Sequence, residues 1–123
     1  QNLFELEQFK HLSRDLFVFN GFDAMLVAGL SMGADGGIGS TYNFMPHIIL
    51  EIYHSFQNGD IAAAQKAQEK ANRIISAMIP FGVFQMEKEI LKNLGLPVGE
   101  CRKPFLPLSQ AGKEKAKEIA AML

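Results

Sequence analysis

The sequence predicts an α/β fold that is the C-terminal part of a larger parallel sheet, on three observations. Two short runs suited to buried strands alternate with helix-like stretches, the pattern of βαβ units. The chain opens directly on a helical pattern at Asn2. Two strands are too few to make a parallel sheet stable, because such sheets are buried on both faces.

Taken in order, Asn2 with Glu5 forms a capping-box pattern ahead of Leu6, Phe9 and Leu12, which predicts a first helix. Ser13 to Asp15 make a polar break. Leu16, Phe17, Val18 and Phe19 are continuously apolar and predict a strand buried on both faces. Asn20-Gly21 is a possible hairpin turn, but Asp23 followed by Ala24, Met25, Leu26, Val27, Ala28 and Leu30 favours a helix capped by the aspartate and stopped at Gly33. Asp35-Gly36 is then a turn, and Gly36 to Ser40, centred on Ile38, a second buried strand. From Asn43 onward, Met45, Ile48, Ile49, Ile52, Tyr53 and Phe56 recur at helical spacing up to Asn58-Gly59, with Pro46 in the first turn where its missing N–H is tolerated.

The remainder is helical. Asp60 caps a helix with an inner face of Ile61, Ala64, Ala67, Ala71, Ile74, Ile75 and Met78. Pro80 and Gly82 interrupt it, and a shorter helix carries Phe84, Ile90, Leu91 and Leu94. Leu96 to Leu108 is a loop, after which Ser109 caps a terminal helix ending at Leu123.

Composition narrows the function classes. The 123 residues are 48% hydrophobic and 20% charged, as in an ordinary soluble globular domain. A net charge of −1 argues against nucleic-acid or anionic-membrane binding. Lys113, Lys115 and Lys117 are interleaved with Glu114 and Glu118, which reads as a solvated helix face. The single cysteine, Cys101, fits a reducing cytoplasm and a structural role, since no histidine lies near it in sequence to act as base. No leader-like segment or membrane-length apolar run is seen, so a cytoplasmic location is expected.

The most informative stretch is GADGGIGSTYNF, Gly33 to Phe44. A dinucleotide fingerprint beginning at Gly37 needs a third glycine where Tyr42 stands, and a phosphate loop needs a lysine where Ser40 follows Gly39. Both matches fail. Helix packing accounts for Gly33 and Gly36, but the polar run Ser40 to Asn43 after a strand needs somewhere polar to point. In parallel α/β folds the carboxyl ends of strands face the ligand. Asp23, after the first strand, and Ser40 and Thr41, after the second, would share that end and offer half of a polyol or carboxylic acid site.

FNGFDAMLVAGLSMGADGGIGSTYN resembles the last two barrel strands of the dihydrodipicolinate synthase/N-acetylneuraminate lyase family of class I aldolases. The GDIAAAQKAQ helix, the GVF at Gly82 to Phe84 and CRKPF at Cys101 to Phe105 extend that similarity over essentially the whole chain, and GSTYN points to the neuraminate lyase branch. The resemblance implies a (β/α)₈ TIM barrel, with residues 1–58 as its last βα units and residues 59–123 as a C-terminal helical extension. It implies reversible retro-aldol cleavage of N-acetylneuraminate, or a related 2-keto sugar acid, to pyruvate and N-acetylmannosamine. The pyruvate would be held as a Schiff base on a lysine, with a proton-shuttling tyrosine, both upstream of Gln1. No catalytic residue, metal or cofactor is therefore expected within the chain itself. The rest of the barrel is the expected partner, and a homotetramer the expected assembly.

Carried over residue by residue, Gly21, Asp23 and Ser40 look like contacts to the hydroxylated part of the substrate, with Gly39 opening space and Ala24 lining the same side. One departure stands out. Sialic acid lyases usually have glutamate after this aspartate, whereas Ala24 accepts no hydrogen bond, a loss on the order of 1–3 kcal/mol. A dihydrodipicolinate synthase, a 2-keto-3-deoxy sugar acid aldolase and a non-catalytic half-barrel module needing a partner chain are the alternatives. His47 and His54, seven residues apart on one helix, are separated by about 10 Å of rise and are too far apart for one metal.

Overall fold

The computed structural model describes residues 2–13 and 15–123; Gln1, and Arg14 within the expected polar break, lie outside the described residues. The element order is α1 (Leu3–Leu12), β1 (Phe19–Asn20), α2 (Leu26–Ser31), β2 (Gly36–Gly37), α3 (Pro46–Gln57), α4 (Ile61–Met78), α5 (Val83–Asn93) and α6 (Gln110–Met122). Short 3₁₀ turns at Asp23–Met25, Ser40–Asn43 and Ile79–Phe81 link them. The order of helices and strands is the one read from the sequence.

Several helix starts form as the side chains dictate. Asn2 accepts from the N–H groups of Phe4 and Glu5, Asp60 from Ala63 and Ser109 from Gly112, each satisfying an orphan donor of the first turn. Pro46 occupies the first turn of α3. Gly33 and Gly82 adopt φ of +92° and +96°, a region costly to any residue with a Cβ, and so end α2 and separate α4 from α5.

β1 and β2 pair in parallel, Phe19 opposite Gly36 and Asn20 opposite Gly37. The ladder is extended by Asp35 N–H donating to the Val18 carbonyl at 2.8 Å and Ile38 N–H to the Asn20 carbonyl at 2.9 Å. The strands are shorter and more open than the apolar runs suggest. Leu16, Phe17 and Phe19 are 46%, 78% and 51% exposed, and Ile38 is 67% exposed. A strand is buried on both faces only when layers cover both, and in this chain the helices cover one side of a two-stranded sheet.

Asp35 is no turn residue either. The turn falls at Met32-Gly33, and the Asp35 carboxylate accepts from Val18 N–H at 2.7 Å and from Lys10 Nζ at 2.6 Å, tying the entry of β1 to α1. The Lys10 ammonium, followed by the Val18 N–H, holds this carboxyl below the usual aspartate range.

The core lies between α2, α3, α4, α5 and α6. Leu26, Met45, Ile52, Met78, Met86, Ile90 and Ile119 are each no more than 1% exposed, and burying a side chain of this size contributes roughly 1.5–3 kcal/mol. Residues on both sides of Asn58 share this core. Several positions read from periodicity as apolar helix faces sit outside it, Phe9, Leu12 and Leu94 among them at 55%, 70% and 41% exposed. Ile61 is 41% and Phe84 51% exposed, because Ile61 is the first residue of its helix and Phe84 turns to Phe105 instead, edge-on at 5.6 Å.

Candidate functional site at the strand ends

Because the strands are parallel, the residues following β1 and β2 emerge at the same end of the sheet. The first segment is anchored by Asn20, fully buried at the end of β1, whose amide Nδ2 donates to the Phe22 carbonyl at 2.9 Å. That amide fits only because Gly29 on α2 has no side chain: a Cβ there would lie 2.5 Å from Asn20 Oδ1. The chain then makes the 3₁₀ turn Asp23–Met25, which α4 holds from behind. Gln68 Nε2 donates to the Asp23 carbonyl, Asn72 Nδ2 donates to the Ala24 carbonyl, and Gln68 Oε1 accepts from Val27 N–H, all at 3.1 Å.

Pinned in this way, the Asp23 side chain does not cap its own helix. It crosses to the second strand end, where Oδ2 accepts from Thr41 N–H at 2.9 Å and from Thr41 Oγ1 at 2.6 Å. A helix N-terminus needs an acceptor for its free N–H groups, but Thr41 offers two donors in one place and its 3₁₀ turn has no side-chain cap of its own. Gly39 makes the crossing possible. A Cβ on it would sit 2.2 Å from Asp23 Oδ1, so the carboxylate lies directly on the Gly39 backbone. Gly37 is required in the same sense, since its Cβ would meet Leu26 Cδ1 at 2.7 Å and the Tyr42 hydroxyl at 2.8 Å.

Ser40, exposed beside this pair, donates its hydroxyl to Glu87 Oε1 at 2.6 Å. Glu87 comes from α5, is only 7% exposed, and belongs to the buried stripe that includes Met86 and Ile90. Burial raises its pKa above the ordinary glutamate value, the negative charge of Asp23 adds to the rise, and the Ser40 hydroxyl acts against both. Tyr42 is half-buried beneath the same residues. Burial, reinforced by the Asp23 charge and opposed by the Asn20 amide, pushes its phenol up to about 12, so it remains a neutral group at physiological pH.

The structure therefore brings Asp23, Gly39, Ser40 and Thr41 into one cluster and adds Glu87 and Tyr42 to it. The other two expected positions stand apart. Gly21 is exposed with no atom within 4 Å of where a Cβ would be, so packing within this chain leaves room for a side chain there. Ala24 lines a shallow groove between α1, α2 and α4 with Leu3, Val27 and Ala28. Sequence reasoning missed Glu87, Gln68 and Asn72. The signal for the first two was a polar residue on the apolar stripe of its helix: Glu87 between Val83 and Ile90, and Gln68 between Ala64 and Ala71.

Such a cluster is a set of hydrogen-bond acceptors and donors matched to hydroxyl groups. Asp23 Oδ1 and Glu87 Oε2 are left over as acceptors, and the Ser40 oxygen, its proton given to Glu87, is left with acceptor capacity. No helix among the described residues is long and apolar enough to cross a membrane.

Parallel strands with a polar rim at their carboxyl ends, followed by packed helices, are the arrangement of the C-terminal part of a (β/α)₈ barrel. The chain belongs to the dihydrodipicolinate synthetase family, whose model matches residues 1–123. It is 40% identical over 123 residues to an N-acetylneuraminate lyase of Salmonella paratyphi B, covering 99% of this chain and 41% of the relative. An N-acetylneuraminate lyase of Rhizobium meliloti is 38% identical over 120 residues, 98% of this chain and 40% of its own. Among solved structures, N-acetylneuraminate lyase from Fusobacterium nucleatum superposes with a TM-score of 0.90 at 37% identity, over 98% of this chain and 42% of that one. The sialic acid aldolase of Ruminococcus gnavus gives 0.92 at 32% identity, over 99% and 42%. The chain thus spans about two-fifths of the length of the relatives it matches.

Proposed function

We propose that this chain is the sugar-binding side of a pyruvate-dependent class I aldolase, cleaving N-acetylneuraminate or a related 2-keto sugar acid to pyruvate and N-acetylmannosamine. The similarity to N-acetylneuraminate lyases along 99% of the chain carries this reading, and the hydroxyl-matched rim of Asp23 and Ser40 supports it. In this reading residues 59–123 are the helical extension of the barrel, and the rest of the barrel supplies the lysine that binds pyruvate as an imine. Homotetrameric assembly goes with the same reading.

The chain's own part is orientation. Asp23, held by Thr41 through Oδ2, keeps Oδ1 for a substrate hydroxyl, while the Ser40 oxygen, its proton donated to Glu87, accepts a second one. Fixing the polyol in this way places the scissile carbon–carbon bond over the imine, which withdraws electrons as it breaks. A second reading is favoured by Ala24: a shorter 2-keto-3-deoxy sugar acid as substrate, because that position supplies no acceptor.

Borohydride reduction of the complete enzyme with pyruvate tests the activity class. The adduct is expected on a lysine outside residues 1–123; an adduct on Lys10, Lys66 or any other lysine of this chain refutes the assignment. Cleavage of N-acetylneuraminate, compared with 2-keto-3-deoxygluconate, then separates the two substrates.

A further inference from the structure

Glu87 is unusual among the carboxylates of this chain. It is nine-tenths buried, and its hydrogen-bond partner is a neutral hydroxyl, where Asp35, Glu51 and Glu69 are paired with lysine or arginine. A buried carboxylate without a cation destabilises a fold, because desolvation is not offset by an opposite charge. The nearest charge that acts on it is that of another carboxylate, Asp23, which makes matters worse. Nothing about packing requires this: the neighbouring stripe positions on α5 are Met86 and Ile90, and an apolar residue would serve the core.

What the placement does achieve is a second acid at the strand ends. Through Ser40, α5 is joined to the rim made by β1 and β2. Oε1 of Glu87 is used by Ser40, the one hydrogen bond to this carboxylate seen among the described residues, which leaves Oε2 over. The residue after Asp23 adds no acceptor, since Ala24 has no polar side chain and its carbonyl is taken by Asn72. We propose that Glu87 is a specificity-determining residue of this site, its free carboxylate oxygen accepting a hydroxyl from the far end of a polyhydroxylated substrate while Asp23 accepts one nearer the reacting carbon. Two acids approached from different elements select a chain of hydroxyls long enough to reach both. A short keto acid engages Asp23 alone.

This inference rests on the aldolase reading above, and its test separates the two. Glu87→Gln keeps the shape and the bond from Ser40 but loses the charge, and Glu87→Leu removes both. In the complete enzyme, cleavage of N-acetylneuraminate and of 2-keto-3-deoxygluconate is measured for each variant, together with the rate of pyruvate trapping by borohydride. The expected result for Glu87→Gln is a fall of about tenfold in kcat/KM for the nine-carbon acid, carried mainly by KM, because a hydrogen bond to a charged group is lost. The six-carbon acid falls less than twofold, as does pyruvate trapping. Glu87→Leu is expected to lose more on the long substrate and no more on the short one. Equal losses on both acids, or a parallel loss of pyruvate trapping, overturn the proposal and make Glu87 structural. No change on either acid overturns it as well. A parent enzyme that traps pyruvate but cleaves neither acid refutes the substrate reading instead, and the role of Glu87 falls with it.

Discussion

The two ends of the chain's chemistry are built to different degrees of completion. At the carboxyl ends of β1 and β2, nearly every polar group is held by another from a distant part of the sequence: Gln68 and Asn72 on the backbone of 23–25, Thr41 on Asp23, Glu87 on Ser40. Along the flank of the same sheet, Phe17, Phe19 and Ile38 stand open, and a hollow of about 420 Å³ lies over Phe19, Gly36 and Gly37. The difference shows which interactions are local property. The polar rim is preorganised by helices within this chain, whereas the sheet has edges and a face that its own residues leave uncovered.

The sharpest way to break the comparison is at the open flank. If the rest of a barrel covers it, Phe17→Ala in the complete enzyme costs about 3 kcal/mol, as for a buried aromatic. Chemical denaturation checks this, and a cost near zero would mean that Phe17 faces solvent in the whole protein too. On the other side, Asp23→Ala is expected to lower kcat/KM for the sugar acid about ten- to a hundredfold, with the pyruvate imine still trapped by borohydride. Equal loss of both steps would reduce Asp23 to the strap between its turn and Thr41.

Smaller effects probe the rim's internal fit. Gly29→Ala forces a Cβ onto the buried Asn20 amide and should cost about 1–3 kcal/mol by thermal denaturation. Gly21→Ala meets no atom within 4 Å and should change stability by less than about 0.5 kcal/mol. A loss of activity in that variant without a loss of stability would mark Gly21 as an approach point for substrate.

The last effect depends on pH. Glu87 has a folded-state pKa raised above the ordinary 4.5, so the folded protein binds this proton more tightly than the unfolded chain. Its stability is therefore full below about 4.5 and is lost as pH rises through the folded value. Glu87→Gln removes that loss. The variant should melt above the parent at neutral pH, and the two should converge as pH falls toward 4.5. A constant gap across the range would assign the effect to packing.

Much of this architecture was legible residue by residue. Asn2, Asp60 and Ser109 act locally, through an oxygen within three residues of the N–H they satisfy, and so their helix starts could be read directly. Asp23 looked equally local and was not. Its cap role was overridden by a better pair of donors at Thr41, which no short-range pattern announces. Leu16 to Phe19 carried the composition of a strand buried on both faces, but how much of such a run pairs depends on its neighbours, and among the described residues the pairing partner is β2 alone. Gly29 was hidden inside a helix because the reason for it is Asn20, across a loop.

Gln68 and Asn72 grip the backbone carbonyls of Asp23 and Ala24 and leave the side chains alone. The shape of that turn is therefore insensitive to what residue 24 carries. A change of side chain at position 24 would leave in place the frame that presents Asp23.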